Sequence, residues 1–498
     1  MPVKIAFIGG GSLGFTRRLI QDLLCVPELQ DSHFALMDIS APNLDRTARL
    51  IKRDIEANGF SARLSTTLNR KDALKDADFV FCTIRQGGLE AFKLDIEIPL
   101  RYGVDQCVGD TLCAGGILYG QRGIPAILAI CADIKRYAKP GVLLLNYSNP
   151  MAMLTWACNH FGGVRTVGLC HGVQGGHHQI AEVLGKKQDE VDIIAAGINH
   201  QTWYLQVKVG EHLVGSAELL AAFKKHPKYS KTEKVRIDVL ERFGYYSTES
   251  NGHLSEYVPW YRKRRGEIKD WIDMSDWIHG ETGGYLRVCT EGRNWFKTDY
   301  PNWLREEPPK ITKEIRSQEH GSYIVEGLVT GRLYRGHFNV VNRGTISNLP
   351  DDCIVEVPGY VDNNGINIPR VGDLPLACAA TLNASVSVQR MAVHAALKGD
   401  ATLLKQAMLH DPLCAAVCDP EEIWQMADRM LVAQAAWLPQ YKQAIPAAKK
   451  RLASAPDLRS YQGKGAARLK VASVAQMKKN AARSRKSAQA ADKAELAA

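Results

Sequence analysis

The sequence predicts an α/β chain: a doubly wound, mostly parallel sheet in its first 200 residues, followed by a second α+β domain. Three observations lead there. A glycine-rich turn, Gly9-Gly10-Gly11-Ser12-Leu13-Gly14, sits between an apolar run, Val3 to Ile8, and a helix-compatible segment reaching Leu24. Short apolar runs then recur at intervals of roughly 25 to 60 residues with helical stretches between them, the rhythm of βαβ units. Beyond residue 200 that rhythm stops, and long amphipathic segments and scattered aromatics replace it.

At 498 residues the chain is too long for one compact core, so two domains are expected, over 1–200 and 201–462. An apolar fraction of 45% with 23% charged residues is that of an ordinary globular enzyme. No run of about 18 apolar residues is present, so no membrane-spanning helix is expected. Met1-Pro2-Val3-Lys4-Ile5 enters a strand without a signal-peptide pattern, which predicts a cytoplasmic protein. Twelve cysteines without regular short spacing point to reduced thiols rather than a disulfide framework. The net charge of +10 is concentrated at one end: from Lys464 onward nine Lys/Arg face only Asp492 and Glu495, which accounts for seven of the ten charges. The body is close to neutral, so specific nucleic-acid binding is not expected. The stretch 463–498 reads as a basic, solvated tail.

In chain order, the first strand feeds a G-x-G-x-x-G turn, whose glycines let a backbone approach a pyrophosphate at a helix N-terminus. Gly9, Gly11, Ser12, Leu13 and Gly14 are the candidate cofactor contacts. The second strand, His33 to Met37, ends in Asp38, which can accept hydrogen bonds from both ribose hydroxyls and so favours NAD over NADP. The alternative is an α/β domain whose glycine turn holds nothing. Asp78 to Thr83 is a strand leading to a loop with Arg85, a further candidate cofactor contact. Gly109 to Gly116 is a Gly-rich loop in which Asp110 is positioned to line a sugar or phosphate group. Val142 to Leu145 leads to Asn149-Pro150, where proline forces a turn and presents the Asn149 amide near a bound nicotinamide; a turn-stabilising role is the alternative. Thr166 to Leu169 climbs into Cys170-His171-Gly172-Val173, a strand handing over to a helix, and Ile193 to His200 is another apolar run ending in histidine. On local sequence alone Cys170 reads as core. Gly252 to Arg262 packs titratable and aromatic groups around Pro259, Asn339 to Asp362 reads as a small second sheet, and Leu376 to Arg451 reads as long helices.

Several of these stretches together resemble a known family. Phe7-Ile8-Gly9-Gly10-Gly11-Ser12, Asn149-Pro150-Met151, Cys170-His171-Gly172-Val173, Gly197-Ile198-Asn199-His200, Ser255-Glu256-Tyr257-Val258-Pro259-Trp260 and Ile346-Ser347-Asn348-Leu349-Pro350 stand in the order found in the NAD- and manganese-dependent glycosidases of glycoside hydrolase family 4. That family includes α-galactosidases, α-glucosidases, α-glucuronidases and 6-phosphoglycosidases. The resemblance covers the chain to about residue 450. It implies a Rossmann-like first domain of the lactate/malate dehydrogenase kind, NAD and Mn²⁺ or another divalent metal as cofactors, a small-molecule α-glycoside as substrate, and a homo-oligomer, dimer or tetramer.

The implied chemistry is hydrolysis through transient oxidation at sugar C3, loss of the C2 proton, elimination of the aglycone, addition of water and return of the hydride. Cys170 and His200 resemble the metal ligands. Tyr257 resembles the base, with Arg262 and Lys263 nearby to lower its pKa. His171 stands where phosphoglycoside-cleaving members carry an acid-donating Asp; substrate contact with possible acid duty is its implied role. Cys-His-Gly-Val resembles the α-glucuronidase subgroup more than the Cys-His-Ser-Val of α-galactosidases. Gly172 is therefore expected to leave room for a C6 carboxylate, which Arg85 or Arg262 would pair with. Substrate binding then falls to Asn149, His171, Gly172, Asp110 and Arg262. α-Glucuronides or α-galacturonides rank first and α-galactosides or α-glucosides second. A plain NAD-dependent 2-hydroxy-acid dehydrogenase is the rival from another class.

Overall fold

The computed structural model describes residues 2–264, 267–273, 280–292 and 295–458, together with positions 476, 479, 482 and 483 of the tail. The rest of the basic tail expected over 463–498 lies outside the described residues.

Twelve strands form one sheet. In chain order they are β1 (Lys4–Ile8), β2 (His33–Met37), β3 (Arg63–Thr67), β4 (Phe79–Cys82), β5 (Leu143–Asn146), β6 (Thr166–Gly168), β7 (Val191–Ile198), β8 (Gln201–Val209), β9 (His212–Leu213), β10 (Tyr334–Val341), β11 (Ile354–Asp362) and β12 (Gly365–Asn367). Their spatial order is β3-β2-β1-β4-β5-β6-β10-β11-β7-β8-β9, with β12 beside β11. The first six are parallel, and β1 lies between β2 and β4 with Ile8 opposite both Met37 and Cys82. Strands β1, β4 and β5 are apolar and nearly fully buried, as strands covered on both faces by crossover helices must be.

Two expectations are corrected here. Asn339 to Asp362 is not a separate small sheet: β10 and β11 insert between β6 and β7, Asn339 pairing with Gly168 and Glu356 with Gly197. Consequently β7 does not continue the parallel sheet; it runs antiparallel to β11 and to β8. The expected domain boundary at residue 200 falls in the β7–β8 turn, and strands from both sides of it share the sheet. The Gly109–Gly116 stretch is likewise shorter as a loop than expected, because the helix Cys113–Tyr137 begins inside it. That helix is long and apolar enough to cross a membrane by composition, but 67% of its most apolar window is buried within the fold. It packs on the helices Leu376–Lys398 and Met151–Ala157 as a core helix. The twelve cysteines are all unpaired thiols.

The second half contributes long helices over Leu376–Lys398, Ala401–His410 and Pro420–Ala433. It is tied to the first half where Gln434 donates to Asp95 Oδ1 at 2.8 Å, beside the buried ion pair in which Arg122 donates to both Asp95 oxygens at 2.9 and 2.6 Å. Strand ends β1, β4, β5 and β6 and the β7–β8 turn open onto one cleft of about 720 Å³. This is where open α/β sheets place ligands.

Candidate active site

The floor of the cleft begins at the glycine turn. Gly9 has φ +91°, and a Cβ there would meet Thr83 O at 2.7 Å, so β1 and β4 can lie this close only at glycine. Gly9 and Gly10 donate their N–H groups to Met37 O, fixing the turn against the end of β2. Asp38 Oδ2 accepts from Gly11 N at 2.9 Å and Oδ1 from Ser40 N at 2.9 Å. A Cβ on Gly11 would stand 2.7 Å from that carboxylate. Strand end, glycine turn and carboxylate are thus brought together, and the helix Leu13–Leu24 starts at the turn with its N–H groups toward the cleft. Ser12, Leu13, Gly14 and Arg85 line the cleft, and Trp295 closes its mouth over Gly14. The Arg85 guanidinium lies 4.7 Å from the ring centre of Phe92, 5.1 Å from Tyr119 and 5.6 Å from Tyr285, with no ion-pair partner among the described residues. These residues fit a dinucleotide: a glycine cradle where any Cβ would clash, a carboxylate at the second strand end, and a cation without a carboxylate of its own.

The opposite wall comes from β6, the β7–β8 turn and the segment before the helix Asn251–Tyr257. Cys170 follows β6, and its sulfur accepts from Gly172 N at 3.3 Å. Asn199 and His200 are the two residues of the tight β7–β8 hairpin, between the paired Ile198 and Gln201. His200 takes φ +64°, a left-handed conformation that costs an L-residue roughly 1–2 kcal/mol. Gly or Asn would fill that position without strain, so the histidine is there for its side chain. Its Nδ1 is engaged with Thr111 Oγ1 at 2.8 Å, which leaves Nε2 facing the cleft.

Glu249 arrives by another route. Thr248 Oγ1 accepts from Thr202 N at 3.1 Å and meets Thr202 Oγ1 at 2.6 Å, docking residues 247–249 alongside β8. Its carboxylate then lies 3.5 Å from Cys170 Sγ and 3.9 Å from His200 Nε2. Burial drives the Cys170 thiol well above its usual pKa, and Glu249 and Glu356 reinforce this. Burial also opposes the charge on Glu249, but His200, His253 and His171 override it and hold the carboxyl at about 2. Cys170 and His200 supply a thiol and an imidazole at the cleft surface, a donor pair suited to a divalent cation.

Between the two walls, Asn149 Nδ2 donates to Asp110 Oδ2 at 2.8 Å, and Asp110 Oδ1 accepts from Thr111 Oγ1 at 2.7 Å. The loop that presents Asp110 hangs from Glu256, whose carboxylate accepts from the N–H groups of Cys107, Val108 and Gly109 at 2.6, 3.0 and 3.0 Å. His171 is exposed, with Nδ1 3.6 Å from Glu319 Oε1. His253 also lines the cleft, its Nδ1 2.7 Å from Ser250 Oγ and its ring edge-on to His200.

Three expected site residues are placed otherwise than expected. The room at Gly172 is already taken: a Cβ there would stand 1.6 Å from Glu249 Oε2. Arg262 does not face the cleft; it donates to Asp105 O and Oδ1 at 2.6 Å each, to Gly280 O at 2.6 Å and to Ser255 Oγ at 3.2 Å, with no exposed side-chain surface. Tyr257 is fully buried beneath His253, and its hydroxyl has no well-formed hydrogen bond. Burial, helped by Glu256 and Asp110, raises its pKa well above the usual tyrosine value, opposite to the expected lowering by Arg262 and Lys263. The tyrosines that reach the cleft are Tyr119, Tyr147 and Tyr285.

Sequence reasoning missed Glu249, His253, Tyr119 and Tyr285. His253 lay in a segment singled out for its titratable groups. Glu249, just before the Ser250 cap, carries no local signal at all.

Comparison with known proteins identifies the family. Residues 4–186 match the family 4 glycosyl hydrolase model, and residues 195–414 match its C-terminal domain. An α-galactosidase of Rhizobium meliloti (strain 1021) is 59% identical over 95% of this chain and 97% of its own length. An α-galactosidase of Bacillus subtilis (strain 168) is 33% identical over 88% of this chain and 100% of its own. Among solved structures, a 6-phospho-α-glucosidase from gut microorganisms in complex with NAD and Mn²⁺ superposes with a TM-score of 0.73 at 20% identity, covering 89% of this chain and 100% of that one. The chain is a glycoside hydrolase and belongs to family 4.

Proposed function

We propose that this enzyme hydrolyses α-D-galactosides with NAD⁺ and a divalent metal, Mn²⁺ foremost, as cofactors. One observation carries the choice of sugar: Glu249 fills the space that Gly172 leaves, so that space is closed to a C6 carboxylate. Arg262, the second feature expected to favour a uronide, is committed to Asp105. The two α-galactosidases at 59% and 33% identity support the same reading. α-Galacturonides and α-glucuronides become the second choice, with Arg85 the one arginine or lysine that lines the cleft among the described residues.

When bound, NAD⁺ supplies a hydride acceptor for C3 and the metal supplies a Lewis acid. The protein's own contribution is positional. The glycine turn and Asp38 would hold the dinucleotide at the β-strand ends. The Asn149–Asp110 pair offers one amide and one carboxylate to the sugar hydroxyls. His171, exposed at the cleft rim, would contact the sugar and protonate the departing aglycone oxygen. Removal of the C2 proton falls to a group that reaches the cleft, which His253 and the three cleft tyrosines do.

The test is a panel of nitrophenyl α-glycosides assayed with NAD⁺, Mn²⁺ and a reductant. The α-galactoside is expected to be cleaved with the highest kcat/KM, and activity should vanish when either cofactor is withheld. A tenfold preference for the α-galacturonide would overturn the choice of sugar. Steady NADH accumulation from a 2-hydroxy acid would overturn the glycosidase reading itself.

A further inference from the structure

We propose that Glu249 is a third protein donor to the divalent cation, and that Gly172 is glycine because that carboxylate must reach the metal. The inference rests on the metal-dependent reading above. Cys170 Sγ, His200 Nε2 and a Glu249 oxygen all lie within 4.8 Å of one another, on three chain segments that converge only in the fold. A second trio, Asp110, His200 and His253, meets the same distance test. Asp110, however, already accepts hydrogen bonds from Thr111 and Asn149 on its two oxygens. Glu249 accepts only from the Cys170 thiol and has no Lys or Arg partner among the described residues.

That isolation is the central physical point. A carboxylate whose side chain is only 14% exposed is costly unless a positive charge answers it. A divalent ion held between the Glu249 carboxylate, Cys170 Sγ at 3.5 Å from it and His200 Nε2 at 3.9 Å would answer that charge.

The chemistry of the set is consistent with this. A carboxylate suits Mn²⁺ better than a thiolate does, so Glu249 offsets the softness of Cys170. Three protein donors also leave coordination positions open for sugar hydroxyls and water. Local structure supports the placement. Thr248 is pinned to Thr202, Ser250 caps the helix Asn251–Tyr257, and the Glu249 carboxylate is steered over Gly172, where any side chain would collide with it.

The test uses the full-length protein stripped of metal, with Mn²⁺ alone as probe, and reads free Mn²⁺ by electron paramagnetic resonance. Glu249→Gln keeps the shape of the side chain and removes its charge. It is expected to raise the Mn²⁺ Kd by about 100-fold, at or beyond the upper end of what loss of a hydrogen bond outside the coordination sphere does. Gly172→Ser, whose Cβ would stand 1.6 Å from Glu249 Oε2 and so displace the carboxylate, should raise the Kd by about tenfold or more. NAD⁺ affinity, measured in parallel, checks that each variant is folded. Unchanged Mn²⁺ affinity in Glu249→Gln, with affinity lost in His200→Ala, would overturn the role of Glu249 and leave the metal-dependent reading standing. Absence of Mn²⁺ binding by the unaltered protein would overturn both.

Discussion

The glycine-turn wall of the cleft is made by six consecutive residues and the carboxylate at the end of the next strand, all within the first forty positions. The opposite wall, the proposed metal wall, carries Cys170, His200 and Glu249, which reach one another from β6, a strained hairpin and a capped helix start. The first wall is local in sequence and low in strain, with its glycines placed where φ or close packing requires them. The second is assembled by tertiary contacts between distant segments, and holds a non-glycine residue at φ +64°. A wall of the first kind needs only the β1–β2 pairing to exist. A wall of the second kind needs the whole sheet, including the insertion of β10 and β11 beside β6.

If the two walls are separate devices, each should fail alone. His200→Ala is expected to lower kcat/KM by about three orders of magnitude, the several kcal/mol of charge stabilisation that a bound Lewis acid provides. NAD⁺ binding, followed by fluorescence titration, should change by less than about twofold, a free-energy difference well under 1 kcal/mol. Asp38→Ala is expected to do the reverse: NAD⁺ affinity falls by about tenfold or more, since charged hydrogen bonds contribute roughly 1.5–3 kcal/mol each, and Mn²⁺ affinity holds. If either variant moved both affinities together, the two walls would have to be treated as one coupled unit.

Arg262 sharpens the comparison from below the metal wall. Its side chain is buried against Asp105, so Arg262→Gln removes the guanidinium that pairs with that buried carboxylate. The expected result is a loss of about 3–5 kcal/mol in stability, read by denaturant unfolding. The sugar KM should follow only as the folded fraction does. A raised KM in a protein of unaltered stability would instead return Arg262 to the sugar.

This contrast explains what the sequence disclosed. The parallel strands, the glycine turn and Asp38 are legible because strand period, turn chemistry and spacing lie within one βαβ unit. Cys170 and His200 are thirty residues apart and were found through family resemblance; no spacing rule pairs them. Glu249 was not found, because what brings it to the site is the Thr248–Thr202 contact, which leaves no mark on the local pattern. Arg262 and Tyr257 were placed at the site because they stand in a motif beside titratable groups. Proximity in sequence does not decide which way a side chain points. Glu256, in the same motif, proves to be the anchor of the Asp110 loop. The β10–β11 insertion was missed for a related reason: antiparallel pairing between segments more than 150 residues apart has no sequence period.

Tyr257→Phe is the smallest expected effect and the most discriminating for the metal wall. The hydroxyl is buried and lacks a well-formed hydrogen bond, so removing it gives up no strong interaction and relieves a desolvated polar group. Stability should shift by less than about 1 kcal/mol in either direction. Incorporation of solvent deuterium at sugar C2, followed by NMR of the product, reports on the proton-removing group directly. Loss of a general base typically costs about 10²–10⁴-fold, so a hydroxyl outside the cleft and a hydroxyl acting as base differ by at least two decades in this assay. Exchange close to that of the unaltered enzyme is the expected result, with the base then sought by the same measurement among Tyr119, Tyr147, Tyr285 and His253. A hundredfold loss would mean that the helix Asn251–Tyr257 turns its last residue into the cleft when the sugar is bound. In that case the proposed metal wall rearranges on binding, which the glycine-turn wall has no need to do.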